Sequence, residues 1–180
     1  ERMGQRRQRM KNDFEKDLAF GNSAREFWNI AYKKAFPVML KAIDYSKNMK
    51  AQAVGVDTVI SLPFKGALRI DEKMRRHNYG DVLIEYISND IKNTPGWIEK
   101  DLHIDFIGYA YMDSREVMLI PFIDLQNLWK NNKISWIKKY KLPPAKNEFY
   151  NTLNVAVPLS EIQTIRIIKV KIPLSEIKKP

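Results

Sequence analysis

Residues 54–73 read V-G-V-D-T-V-I-S-L-P-F-K-G-A-L-R-I-D-E-K, and the way this stretch divides decides the fold. In Val54 to Ile60 valines and an isoleucine alternate with small or polar residues, and in Ala67 to Lys73 an apolar pair leads into charge. Both segments read as strands. Between them, Ser61 to Gly66 holds Pro63 and Gly66, two turn formers, so the strands are expected to pair antiparallel and bring Asp57 close to Asp71. A strand's period of two then places Asp71 and Lys73 on one face and Glu72 on the other, where no part in the chemistry is expected of it.

Those residue types belong together chemically. A hard divalent cation such as Mg2+ takes oxygen ligands from one or two carboxylates and completes its shell with water and substrate phosphate. Phosphodiester hydrolysis also needs an activated water and an offset to the charge growing on the phosphate, which a metal and a nearby ammonium can share. Asp57 and Asp71 are the expected metal ligands. Lys73 is expected to position or deprotonate the water and to neutralise the phosphate.

An acid on one strand of a hairpin and (Asp or Glu)-x-Lys on the next, here Asp57 and then Asp71, Glu72 and Lys73, resembles the signature of the PD-(D/E)XK, or restriction-endonuclease-like, nuclease superfamily. Val56 stands where that signature often has proline, and Asp71 where glutamate is commoner; neither change removes a ligand. The superfamily often adds a glutamate on the helix before the hairpin, and Glu26 in G-N-S-A-R-E-F-W (residues 21–28) matches that place. Glu26 has an equally complete explanation as the end of a capping box begun by Ser23. The resemblance covers roughly residues 13–130. It implies an α/β sandwich with a central mixed sheet flanked by helices, a Mg2+ cofactor for which Mn2+ can substitute, and DNA as the partner. A homodimer is common among such enzymes.

Composition bounds the rest. A chain of 180 residues fits a single domain, here 1–180, with 1–12 as a basic N-terminal arm and 145–180 as a C-terminal strand extension. Hydrophobic residues at 44% and charged residues at 29% are the balance of a globular chain, not a disordered one. Lys and Arg outnumber Asp and Glu by 31 to 21, a net charge of +10 that points to a polyanionic partner, with an anionic membrane surface second. With no cysteine there is no disulfide framework, thiolate nucleophile or sulfur-bound zinc. No run of 18 apolar residues exists to span a membrane, and the basic first residues lack a secretory apolar stretch, so a cytoplasmic protein, bacterial or phage-encoded, is expected.

Basic residues supply candidate nucleic-acid contacts: Arg6, Arg7 and Arg9 in the arm, Arg75, Arg76 and His77 in what reads as a loop after the hairpin, and Lys100. Ordinary surface charge explains each of them equally well. Asp81 to Ser88 reads as a strand with Val82, Ile84 and Tyr86 on one face. Glu85 on its other face is a candidate third ligand or a partner for Lys73, or else an exposed strand residue. Trp97, after a Pro-Gly turn, either stacks on a base or plugs the core, and His103 joins Lys100 as a candidate to face the cleft. Helices are expected before the hairpin, continuing past Pro37 to Lys50 as one kinked or two short pieces, and over Ile123 to Asn131 with Trp129 in the core. Strands are expected at 102–112, 117–120, 154–158 and 164–172.

The expected function is a Mg2+-dependent deoxyribonuclease, with Asp57, Asp71 and Lys73 at its centre and Glu26 and Glu85 as auxiliaries. Two alternatives stand beside it: a catalytically silent nucleic-acid-binding module on the same fold, and a protein-interaction component whose basic surface meets an acidic partner.

Overall fold

The computed structural model describes residues 24–64 and 66–176. Arg6, Arg7 and Arg9 of the basic arm, and Ser23, expected to begin a capping box, lie outside the described residues. Residues 24–35 form helix α1, whose buried Phe27, Trp28, Ala31 and Tyr32 recur at helical spacing and make one apolar stripe. Pro37 ends this helix, because the residue before a proline is driven out of the helical region.

The expected helix beyond Pro37 is not formed. Residues 41–44 instead make strand β1 (Lys41–Asp44), with Ile43 opposite Val59, and a one-turn helix α2 (Met49–Ala53) follows. An edge strand draws its backbone partners from a sheet already present, whereas a new helix must be nucleated. Asn48 starts α2, its side-chain oxygen accepting from the N–H groups of Lys50 and Ala51.

The hairpin forms as expected. Strand β2 (Thr58–Leu62) pairs antiparallel with β3 (Gly66–Arg75), Thr58 opposite Ile70 and Leu62 opposite Gly66. At the turn Phe64 and Gly66 both take positive φ, 63° and 78°, which glycine adopts freely and phenylalanine does not. Strand β3 runs on through Met74 and Arg75, so Arg75 belongs to the strand rather than to a loop.

Beside β3 lies β6 (Phe106–Tyr111), parallel to it, with Asp71 opposite Ile107 and Lys73 opposite Tyr109. Strands β7 (Glu116–Pro121) and β10 (Ile168–Lys171) complete a mixed sheet in the order β1-β2-β3-β6-β7-β10. A second sheet has the order β5-β4-β9-β8, from β4 (Asp81–Asn89), β5 (Thr94–Pro95), β8 (Ala145–Lys146) and β9 (Asn151–Pro158). Glu85 therefore belongs to this second sheet and not to the sheet carrying Asp71. Residues expected to be a C-terminal extension are integral to the fold: β9 pairs along β4, and β10 closes the edge of the main sheet.

Helix α3 (Phe122–Tyr140) is continuous through Asn131, Asn132 and Lys133, where the sequence predicts a break. Trp129 and Trp136, two turns apart, are both buried, and the energy of burying them outweighs the modest helix penalty of asparagine. Asn132 also stays in register by donating its side-chain amide to the Leu128 carbonyl at 2.9 Å.

Two cores sandwich the main sheet. On one face α1 packs Phe27, Trp28 and Tyr32 on Ile60, Ile70 and Leu119. On the other, Ile107, Tyr109 and Ile120 meet Val82 and Ile84 of the second sheet and Trp129 of α3. The architecture is mixed α/β, and among the described residues no helix is long and apolar enough to cross a membrane.

Candidate active site

The hairpin brings Asp57 and Asp71 together as the sequence predicts. The Asp57 N–H donates to the Ile70 carbonyl at 2.9 Å, and the register Thr58 opposite Ile70, continued one step, sets Asp57 against Asp71. Both side chains line one cavity of about 140 Å3, with Gln52, Lys73, Trp97 and Lys100 also on its wall.

Each member is held. Asp57 Oδ1 accepts from Gln52 Nε2 at 2.5 Å, and Oδ2 accepts from the Glu72 backbone N–H at 2.8 Å. Asp71 is 4% exposed, and Lys73 Nζ donates to its Oδ1 at 2.6 Å. Burial pushes the Asp71 carboxyl up to about 7; the Lys73 ammonium opposes that rise and the neighbouring Asp57 carboxylate reinforces it. One ammonium thus faces two carboxylates, and near neutral pH the site keeps part of a proton to balance its charge.

This donor set fits a hard divalent cation. Two carboxylates converging on a small cavity supply what Mg2+ takes from protein, leaving other positions to water and phosphate. Among the described residues no three His, Cys, Asp or Glu side chains gather as a metal group, so the fit rests on the carboxylate pair alone.

Glu72 faces the other way, as the strand period requires, but it is not idle. Its carboxylate accepts from Arg25 Nη2 at 2.5 and 2.6 Å, from the Tyr32 hydroxyl at 2.6 Å and from the Thr58 hydroxyl at 2.7 Å. Burial works against the Arg25 charge, yet Glu72 outweighs it and holds the guanidinium above its ordinary value. This cluster fastens α1 to the hairpin, and the Glu72 N–H that orients Asp57 comes from the residue it anchors. Glu72 thus anchors α1 to the hairpin from the far side of the strand.

A second cavity, of about 340 Å3, adjoins the first and shares Lys73, Trp97 and Lys100 with it. Arg75, Glu85, Tyr109 and Asn154 also line it. Glu85 therefore lines the neighbouring cavity with Lys73 and not the one that holds the two aspartates. Trp97 is 8% exposed, a core residue that also lines both cavities.

The other expected contacts divide. Lys100 lines both cavities. Arg75 lines the larger one, but its guanidinium is paired with Asp81 and lies 4.8 Å from the Tyr79 ring centroid, so it is already engaged. Arg76, His77 and His103 are exposed and on neither wall, and His77 lies 3.4 Å from Asp113. Glu26 is half-buried on α1 and lines neither cavity; its neighbour Arg25 is the residue that reaches the hairpin. The auxiliary metal role expected of Glu26 has no geometric support.

Three contributors escape the sequence reading. Gln52, five residues before Asp57, sits on the short α2, whose signal is the Asn48 cap followed by the helix formers of M-K-A-Q-A. Gln126 of α3 donates to the carbonyls of Ile98 and Lys100 at 3.1 and 3.0 Å, pinning the turn that carries Trp97 and Lys100. Arg25, at the start of the described part of α1, carries no periodic signal. The chain matches no family model, no curated protein and no solved structure.

Proposed function

We propose that this protein is a divalent-cation-dependent nuclease that hydrolyses DNA phosphodiester bonds. One observation carries the reading: Asp57, Asp71 and Lys73 line a single small cavity while the intervening Glu72 is turned away into a separate polar cluster. The α/β layering also supports it, with a helix packed on a mixed sheet whose hairpin bears the acids, as the restriction-endonuclease-like resemblance implies.

A divalent cation bound to the carboxylates supplies Lewis acidity toward water and phosphate. The chain's own residues do the rest. Asp57 and Asp71 would supply carboxylate oxygens to the cation, Asp57 oriented by Gln52 and by the Glu72 N–H. Asp71 would hold the cation as a carboxylate, its retained proton passing to solvent. Lys73 keeps its ammonium at the cavity wall, where it offsets the charge that grows on the phosphate. Lys100 adds a second cation on the same wall, suited to the adjoining phosphate of a strand.

The test is cleavage of linear and circular DNA by the purified chain in Mg2+ or Mn2+ against chelator, with Asp71→Asn in parallel. Cleavage that needs the cation and is absent from the variant is expected. Salt-sensitive DNA binding without cleavage under any divalent cation would overturn the enzyme in favour of the silent module.

A further inference from the structure

The larger cavity contains a pair of polar side chains that the proposed chemistry does not use. Glu85 on β4 and Asn154 on β9 are directly opposed in the antiparallel register, a position that sets their side chains next to each other on one face. The register shifts immediately afterwards, between Glu85 and Ile87, and bulges of this kind re-aim side chains beside functional sites. Asn154 is 8% exposed, and neither its amide nor the Glu85 carboxylate takes a hydrogen-bond partner from another described residue. Buried amides are ordinarily paired. No fully enclosed side-chain nitrogen or oxygen lacks a partner among the described residues, so the Asn154 amide opens onto the cavity and not onto protein.

The rest of the wall is equally specific. Trp97 and Tyr109 add aromatic side chains to it, and Lys73, Trp97 and Lys100 are shared with the carboxylate cavity. The turn carrying Trp97 lies so close to β4 that a Cβ on Gly96 would sit 2.2 Å from the Glu85 carbonyl oxygen, so glycine is required there to set the aromatic wall. Ammonium groups, aromatic side chains and an acceptor opposed to an amide on one cavity wall are the chemistry that the three parts of a nucleotide call for: phosphate, base face and base edge.

We infer that this cavity is the subsite for one unstacked nucleotide next to the scissile phosphate, so that the strand attacked is single or frayed and not held in an intact duplex. The inference rests on the nuclease reading for what happens at the neighbouring carboxylates, but the binding it describes does not. The walls come from both sheets, and a base stacked and paired in a duplex cannot pass between them without leaving its stack. Lys73 and Lys100 hold the phosphate, Trp97 takes the base face, and Glu85 and Asn154 take the base edge.

Binding of a fluorescein-labelled single-stranded DNA oligonucleotide, and of the same strand in a blunt duplex, is measured by anisotropy on the full chain in chelator, for the parent, Glu85→Gln and Asn154→Leu. The parent should prefer the single strand, and each variant should weaken that binding about tenfold, the loss of one buried hydrogen-bonding partner, while leaving duplex binding unchanged. Glu85→Gln keeps size and shape, so it guards against a folding defect in Asn154→Leu, and urea midpoints are compared for all three. Equal parent affinity for both DNAs, or single-strand binding unmoved in both variants, would overturn the subsite. Preferential single-strand binding lost in the variants, without cleavage by the parent in any divalent cation, leaves the subsite standing and sinks the nuclease. Cation-dependent cutting of closed circular duplex at equal rates by parent and variants does the reverse.

Discussion

Replacing Asp71 with asparagine tests the electrostatics of the site without reference to any substrate. The carboxyl is nearly sealed and is pushed from an ordinary 3.8 up to about 7, chiefly by burial. A folded-state value above the unfolded one means that the folded state holds the proton more tightly. The associated stability is fully present below about pH 4 and is lost as pH rises through about 7. The shift from 3.8 to about 7 corresponds, at about 1.36 kcal/mol per pH unit, to roughly 4 kcal/mol as an upper bound on the penalty of keeping Asp71 ionised above neutrality. Asp71→Asn keeps the shape and removes that penalty, although it also gives up the ion pair with Lys73. Urea unfolding in chelator, run from acid to mildly alkaline pH, should therefore show the parent losing stability across neutrality while the variant stays nearly flat and ends more stable. Added Mg2+ should stabilise the parent alone, by roughly 2.7 kcal/mol at a hundredfold excess over its Kd, and cleavage should vanish in the variant. Parallel stability–pH profiles for the two proteins would refute the buried-carboxylate reasoning, and equal stabilisation by Mg2+ would refute the metal assignment.

Three further outcomes are expected. Lys73→Ala should lower single-turnover cleavage by a factor worth on the order of 2.7 to 4 kcal/mol in the transition state while Mg2+ still binds, read in quench-flow at saturating cation above neutral pH. Gln52→Ala frees one oxygen of Asp57 and should weaken Mg2+ binding about tenfold or more with little change in the urea midpoint, as loss of a supporting hydrogen bond does at other metal sites; calorimetric titration checks it. Glu72→Ala should destabilise by on the order of 3 kcal/mol, because Arg25 and the Tyr32 hydroxyl are left without their shared carboxylate, and pairing it with Arg25→Met should restore part of the loss in chemical unfolding.

The local part of the site was legible in the sequence because a hairpin is a local object. Strand alternation around Asp71, Glu72 and Lys73, with a turn built on Pro63 and Gly66, determines which side chains share a face whatever lies above that face. Val82, Ile84 and Tyr86 came out on one buried face for the same reason. What covers each face is a long-range matter that periodicity does not encode. Glu72 reads only as facing away from the aspartates until α1 delivers Arg25 and Tyr32 to it, and Glu85 reads as a third ligand, a partner for Lys73 or an exposed residue until its strand joins a second sheet opposite Asn154. Helix α3 runs through three polar residues because Trp129 and Trp136 gain a common core on either side of them, and residues 41–44 become a strand because β2 offers an open edge. Local alternation thus determined the orientation of the aspartates and the lysine, while tertiary packing decided which neighbours hold them, since burial and pairing energies arise only between segments far apart in the chain.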